Sequence, residues 1–178
     1  KEASTLTISD NGIGMSREET IENLGTVAKS GTKAFLEAVK AKNSPDAPGL
    51  IGQFRGGFYS SFMVAEKVTV VTRPAGAGTK GTRWVSDGQG QFTIEEVEKP
   101  TRGSDITLHM KEDAKDFLDE WRLRSLVKKF SDFIEHPVVM NVEREEEEGK
   151  KTVEEEPLNS RKAIWLRQPR AVTAEEYA

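Results

Sequence analysis

The chain has 178 residues, 35% of them hydrophobic and 31% charged, with a formal net charge of −4. That length holds one full hydrophobic core and the start of a second unit, and the acidic balance gives no general electrostatic reason to bind nucleic acid. No apolar run approaches the roughly 20 residues of a membrane helix, cysteine is absent, and only His109 and His136 carry imidazole, so disulfides, thiolate zinc sites, histidine metal clusters and a Ser-His-Asp triad are all disfavoured.

The absence of cysteine fits a reducing cytosol. No signal-peptide pattern opens the chain. Lys1 is not a natural start, and the sequence reads as a fragment that begins inside a fold.

Leu6-Thr7-Ile8 alternates as the end of a buried strand. Asn11-Gly12 is turn chemistry, and Ser16 followed by Glu19 forms a capping box that starts a helix after Met15. Asp10 therefore stands where a strand hands over to a helix, flanked by Gly12 and Gly14. A buried carboxylate there accepts hydrogen bonds from a ligand amine, and the two glycines let a flat ring approach the backbone. Taken alone, the same Asp-x-Gly-x-Gly pattern is equally a plain turn.

The first helix turns Ile21 and Leu24 toward a core and stops near Gly25. The small polar run 26–31 is a tight connection, and Thr32 caps a second helix bearing Phe35, Leu36 and Val39. Residues 43–49, with two prolines and a glycine, form a loop. Gly52-Gln53-Phe54-Arg55-Gly56-Gly57-Phe58-Tyr59-Ser60 reads as a glycine-rich loop feeding a helix N-terminus, whose free N–H groups and partial positive charge suit phosphate. The competing reading is a flexible loop with a packing glycine pair.

From Val68 the period becomes two. Strands are expected at Val68–Thr72, Thr82–Ser86, Phe92–Val97 and Asp105–Met110, with a hairpin across Asp87–Gly90. Residues 112–135 are mostly helical, with Trp121 and Phe130 assigned to the core, and Pro137 ends that helix. Val138–Val142 is a further strand. Residues 143–151, charged except at Gly149, form a solvated hairpin or linker. Ala163–Leu166 restarts an apolar strand. The fold class is α+β, a two-layer sandwich of a mostly antiparallel sheet with helices on one face.

Other nucleotide signatures fail. The P-loop pattern is absent, Gly12-Ile13-Gly14 lacks the third glycine of the dinucleotide fingerprint, and no kinase motif occurs. What remains is Asp10-Asn11-Gly12-Ile13-Gly14-Met15, Asn23-Leu24-Gly25-Thr26, Ala28-Lys29-Ser30-Gly31-Thr32, and Gly52-Gln53-Phe54 with Gly57-Phe58-Tyr59-Ser60. Together they resemble the ninety-kilodalton heat-shock chaperones, most of all their bacterial form, over essentially the whole chain. That family shares its ATP-binding fold with gyrase, histidine kinases and mismatch-repair ATPases.

The resemblance implies roles. Asp10 matches the carboxylate that accepts the adenine amine, with an ordered water that Ser104 shares; the family usually has threonine at that position. Gly14 and Met15 match the wall of the adenine slot, and Asn23 the polar group near ribose and phosphates. Lys29, Ser30 and Gly31 match the segment leading into the lid, with a plain surface cation as the other reading of Lys29. Gln53, Phe54, Arg55, Gly56, Gly57 and Phe58 match the loop whose amides hold the terminal phosphates. Arg55-Gly56 departs from the family's glycine followed by a small branched residue.

The family's general-base glutamate and magnesium-binding asparagine lie upstream of Asp10, and its γ-phosphate arginine lies downstream, so no catalytic residue is expected in this chain. The implied cofactors are ATP/ADP and Mg2+. The implied partners are unfolded client proteins and a second copy of the full-length protein, in a bacterial cytoplasm, with no nucleic acid or membrane partner. The expected organisation is an ATP-binding domain over 1–142, a charged connector over 143–157 and the start of a middle domain over 158–178. The alternative function is a non-catalytic adenine-nucleotide-binding fragment.

Overall fold

The computed structural model describes residues 3–25, 56–76, 78–145 and 151–161. They fall in two compact units that divide between Lys115 and Asp116. The first unit is a five-stranded sheet with helical cover. Strand β1 is Thr5–Asp10, β2 Ala65–Arg73, β3 Gly81–Ser86, β4 Phe92–Val97 and β5 Gly103–Met110. Their order is β1-β5-β2-β3-β4, and every neighbouring pair is antiparallel.

Side chains alternate across a strand, so the register sorts the sheet into two faces. Val68, Val70 and Thr72 of β2 share a face with Ser104, Ile106, Leu108 and Met110 of β5 and with Thr82, Trp84 and Ser86 of β3. Most of these are buried; Val68, Val70 and Trp84 are at most 1% exposed. Each buried valine of that set contributes about 1.5–3 kcal/mol.

Helix α1, Arg17–Thr20, begins at Ser16 with the expected capping box: Ser16 accepts the Glu19 amide, and Glu19 accepts the Ser16 amide. It continues into a π-helical turn, Ile21–Gly25, that buries Leu24. Helix α2, Gly56–Val64, starts at the glycine pair and packs on β2 and β5. Its C-terminal carbonyls are held by Lys111, whose Nζ donates to Phe62 O at 2.9 Å and Met63 O at 3.2 Å. A cation at that end also complements the helix dipole.

The expectation for β1 needs correction. The β1 segment is not buried: Ile8 is 55% exposed, because β1 is an outer strand, paired on one side only among the described residues.

The second unit holds a 3-10 helix, Glu112–Leu118, that runs into it, then α3, Glu120–Ser131, and the hairpin of β6, Val139–Glu145, with β7, Lys151–Pro157. The helical stretch is broken at Asp119, whose extended backbone and side-chain bond to the Arg122 amide make it a fresh N-cap. It ends at Ser131, before Pro137. Asn159 holds the turn that follows. Its amide donates to Ile134 O and His136 O at 3.0 Å, and its Oδ1 accepts the Val138 amide at 2.8 Å.

Trp121 and Phe130 are not core residues: they are 73% and 71% exposed, and α3 has no buried residue. Their amphipathic spacing was real, but nothing described in this unit covers it. The apolar segment 163–166 and the helix expected after Thr32 lie outside the described residues.

Candidate functional site

The site grows from the ends of β1, β2 and β5. Register sets Asp10 opposite Ser104, and Ser104 opposite Thr72, so three polar side chains lie in one row on the helix-bearing face. Thr72 is fully buried and Ser104 nearly so, whereas Asp10 is exposed. The expectation of a buried Asp10 carboxylate is therefore corrected: the outer position of β1 leaves it open to solvent.

Thr72 ties the row together. Its hydroxyl lies 3.0 Å from the Ser104 hydroxyl and 3.3 Å from the Gly103 carbonyl, and it accepts the Met15 amide at 3.0 Å. When Thr72 donates to Gly103 O, Ser104 donates to Thr72 and turns only lone pairs outward. Asp10 Oδ1 accepts the Gly12 amide at 2.8 Å, which shapes the turn and leaves the second oxygen free to accept. The row thus offers the outward oxygen of Asp10 as an acceptor, with the Ser104 hydroxyl beside it, and the complement of that carboxylate is a donor such as an amine.

The turn after β1 is sewn to the end of β2. Ala75 donates to Ile13 O at 2.8 Å. Gly14 has φ +66°, and a Cβ there would lie 1.8 Å from Arg73 O. Gly103 has φ +102°, and its Cβ would lie 2.0 Å from Asp10 O. Both positions need glycine for conformation and for room. Beside the acceptors lies apolar surface: Ile8 and Ile106 face each other across β1 and β5, one step in from Asp10 and Ser104 on the same face. Ile8 and Ile13 are exposed, and Met15 is half-buried. A carboxylate acceptor next to apolar ground fits a flat aromatic ring that carries an exocyclic amine, as adenine does.

The other sheet face is polar and structural. Lys99 Nζ donates to Asp105 Oδ2 at 2.6 Å. Burial pushes the Asp105 carboxyl up, but hydrogen bonds from Lys99 and Ser9 and the lysine charge outweigh it and hold the group below its usual value. Burial, with the nearby charge of Lys67, holds His109 below the ordinary imidazole value, and its Nε2 lies 3.3 Å from Thr69 Oγ1.

Of the residues singled out from sequence, Asp10, Gly14, Met15 and Ser104 come together. Asn23 stands half-buried in the π-helical turn, and Gly56, Gly57 and Phe58 open α2. The half-buried Phe58 ring packs edge-on against Trp84, 5.7 Å between centroids. Lys29, Ser30, Gly31, Gln53, Phe54 and Arg55 lie outside the described residues. Sequence reading missed Thr72 and the role of Gly103. Thr72 looked like any strand threonine, and only register brings it to Met15. Among the described residues no cluster of carboxylates or histidines is placed to hold a metal ion.

Residues 1–116 match the family described as histidine kinase-, DNA gyrase B- and HSP90-like ATPase. The chain is 55% identical over 190 aligned residues to the chaperone protein HtpG of Geobacter sulfurreducens, covering 99% of this chain and 29% of that protein. It is 57% identical to HtpG of Rhodospirillum rubrum, covering 99% of this chain and 27% of that one, and 53% identical to HtpG of Pectobacterium atrosepticum, covering 99% and 28%. The chain spans under a third of the length of these curated relatives. The resemblance drawn from its motifs is borne out, as is the α+β sandwich: the chain belongs to the histidine kinase-, DNA gyrase B- and HSP90-like ATPase family.

Proposed function

We propose that this stretch is the nucleotide-binding unit of an ATP-dependent molecular chaperone. The observation that carries the reading is the row Asp10, Ser104, Thr72, clamped to the Gly14-Met15 turn beside exposed isoleucine. In it, Asp10 accepts the adenine amine, Ser104 supports that contact, and Gly14 and Met15 wall the ring. Asn23 serves the ribose and phosphates. Lys29, Ser30 and Gly31 lead into a lid, and Gln53 to Phe58 present amides to the phosphates at the start of α2, where free N–H groups favour anions. Mg2+ comes with the phosphates, as that ion usually does.

For the whole protein the proposal is a homodimeric clamp of the bacterial cytoplasm, closed by ATP and acting on unfolded clients under stress. No described helix is long and apolar enough to cross a membrane. The proposed division is an ATP-binding domain over 1–142, a charged connector over 143–157 and the beginning of a middle domain.

Titration calorimetry of the chain with ADP and with GDP, both with Mg2+, tests the reading. Guanine sets a carbonyl where adenine has its amine, so acceptor would meet acceptor. Saturable ADP binding is expected, with GDP weaker by about tenfold or more, the equivalent of one lost hydrogen bond of about 1.4 kcal/mol. Equal affinity for the two, or no saturable binding by a folded chain, overturns it.

A further inference from the structure

The row that begins at Asp10 does not stop at Thr72. Thr72 stands opposite Thr82 of β3, and Thr82 stands opposite Glu96 of β4. Residues paired in this way share a face, so Asp10, Ser104, Thr72, Thr82 and Glu96 form one polar row across all five strands. At its Glu96 end the row meets an open cavity of about 220 Å³, whose walls include Ser16, Arg17, Pro74, Lys80, Thr82 and Glu96. Sites for drug-sized ligands run from about 300 Å³ upward, so this one suits a species of a few heavy atoms.

Thr82 is 4% exposed, yet its hydroxyl has no hydrogen-bond partner among the described residues. Unlike the Trp84 indole nitrogen, that hydroxyl is not sealed among side chains, and its residue lines the cavity. A buried hydroxyl without a partner forgoes a hydrogen bond that an occupant restores. Arg17, on the same cavity, has no ion-pair partner among the described residues. Its guanidinium presents a donor fork that matches carboxylate and phosphate oxygens. Lys80 is bridged to Glu96, which offsets one charge with another. Two cations against one carboxylate leave the lining net positive.

We propose that this cavity binds a small oxyanion of the carboxylate or phosphate class, held by the Arg17 guanidinium and the Thr82 hydroxyl. The site is separate from the one around Asp10. Asp10 stands at the other end of the row, and the Met15 amide, held by Thr72, lies between the two ends. Anion binding at the Glu96 end therefore holds whether or not the Asp10 end takes adenine.

The test follows backbone amide resonances of the isotope-labelled chain by NMR. Sodium phosphate and sodium acetate are titrated separately, each against sodium chloride at equal ionic strength. Saturable shifts are expected at Ser16, Arg17, Thr82 and Glu96. Saturation by phosphate alone identifies a phosphate group as the ligand, by acetate alone a carboxylate, and by both the shared oxyanion. Arg17→Gln and Thr82→Val are each expected to weaken binding about tenfold, the scale of one lost hydrogen bond to a charged group. Thr82→Ser recovers the parent affinity. Arg17 is exposed, so its variant carries the test should Thr82→Val fail to fold. Glu96→Gln removes the carboxylate of the lining and is expected to tighten binding about threefold, because a like charge no longer opposes the anion. Shifts that chloride reproduces, saturation by neither anion, or shifts centred on the start of α2 overturn the inference. So do unchanged affinity in both Arg17→Gln and Thr82→Val, and weaker binding in Glu96→Gln.

Discussion

The buried hydroxyls of Thr72 and Ser104 lie 3.0 Å apart in the row that ends at exposed Asp10, and Thr72 also holds the Met15 amide. One threonine thus joins β2, β5 and the turn after β1. Thr72→Val keeps the shape and removes the hydroxyl. It strands the Met15 amide and takes away the partner of Ser104, and an unsatisfied buried polar group costs about 1–3 kcal/mol. Urea unfolding should show a loss of that size, with Thr72→Ser recovering most of it. A valine variant as stable as the parent would mean that the hydroxyl clamp carries no weight.

Asp10 lends itself to a sharper substitution than alanine. In Asp10→Asn the amide oxygen can still accept from Gly12 and keep the turn, while the outward oxygen becomes an NH2 group. Donor then faces donor at the adenine amine. Adenosine affinity should fall by about tenfold or more with the unfolding midpoint little changed, on the scale of one lost hydrogen bond. Unaltered affinity removes Asp10 from the site.

Gly14 and Gly103 should tolerate no side chain. Left-handed backbone costs an ordinary residue about 1–2 kcal/mol, and each Cβ would in addition press within 2.0 Å of a backbone oxygen that has no room to yield. Gly14→Ala and Gly103→Ala should each lower the thermal midpoint more than alanine at Gly57, where a Cβ meets nothing within 4 Å. Calorimetric scans in which all three variants melt together would refute this.

Acid should weaken the first unit in two stages. The His109 value is lowered in the fold by burial and by Lys67, so the unfolded chain takes up the proton first, and stability falls as pH drops through about 6.5. The groups around the ring, Thr69, Lys67, Glu66 and Arg83, offer one carboxylate against two cations. The Asp105 value is lowered by Lys99 and Ser9 against the opposing effect of burial. Its contribution is present above the unfolded carboxylate value of about 3.9 and disappears as pH falls below it. Denaturant midpoints measured from pH 8 to pH 3 should decline in both windows. His109→Gln should flatten the upper decline alone; a parent and variant that run parallel there would count against it.

Much of this protein was legible in local chemistry. The capping box at Ser16 and Glu19, the switch to period two at Val68 and the hairpin across Asp87–Gly90 are each decided by residues within a few positions of one another, so periodicity and turn chemistry suffice. The motif string from Asp10 to Ser60 was equally plain, because an acid between glycines and a glycine-rich helix entry are chemically distinctive. Tertiary structure decided the rest. That Thr72 meets Met15 and Ser104, that Gly103 lies under Asp10, and that Gly25 rests on Phe92 are consequences of strand order β1-β5-β2-β3-β4, which joins residues 32 to 93 positions apart in sequence. The exposure of Asp10, Ile8, Trp121 and Phe130 was likewise undecided by pattern. An apolar stripe records a preference for burial, and only the neighbouring elements determine whether anything covers it.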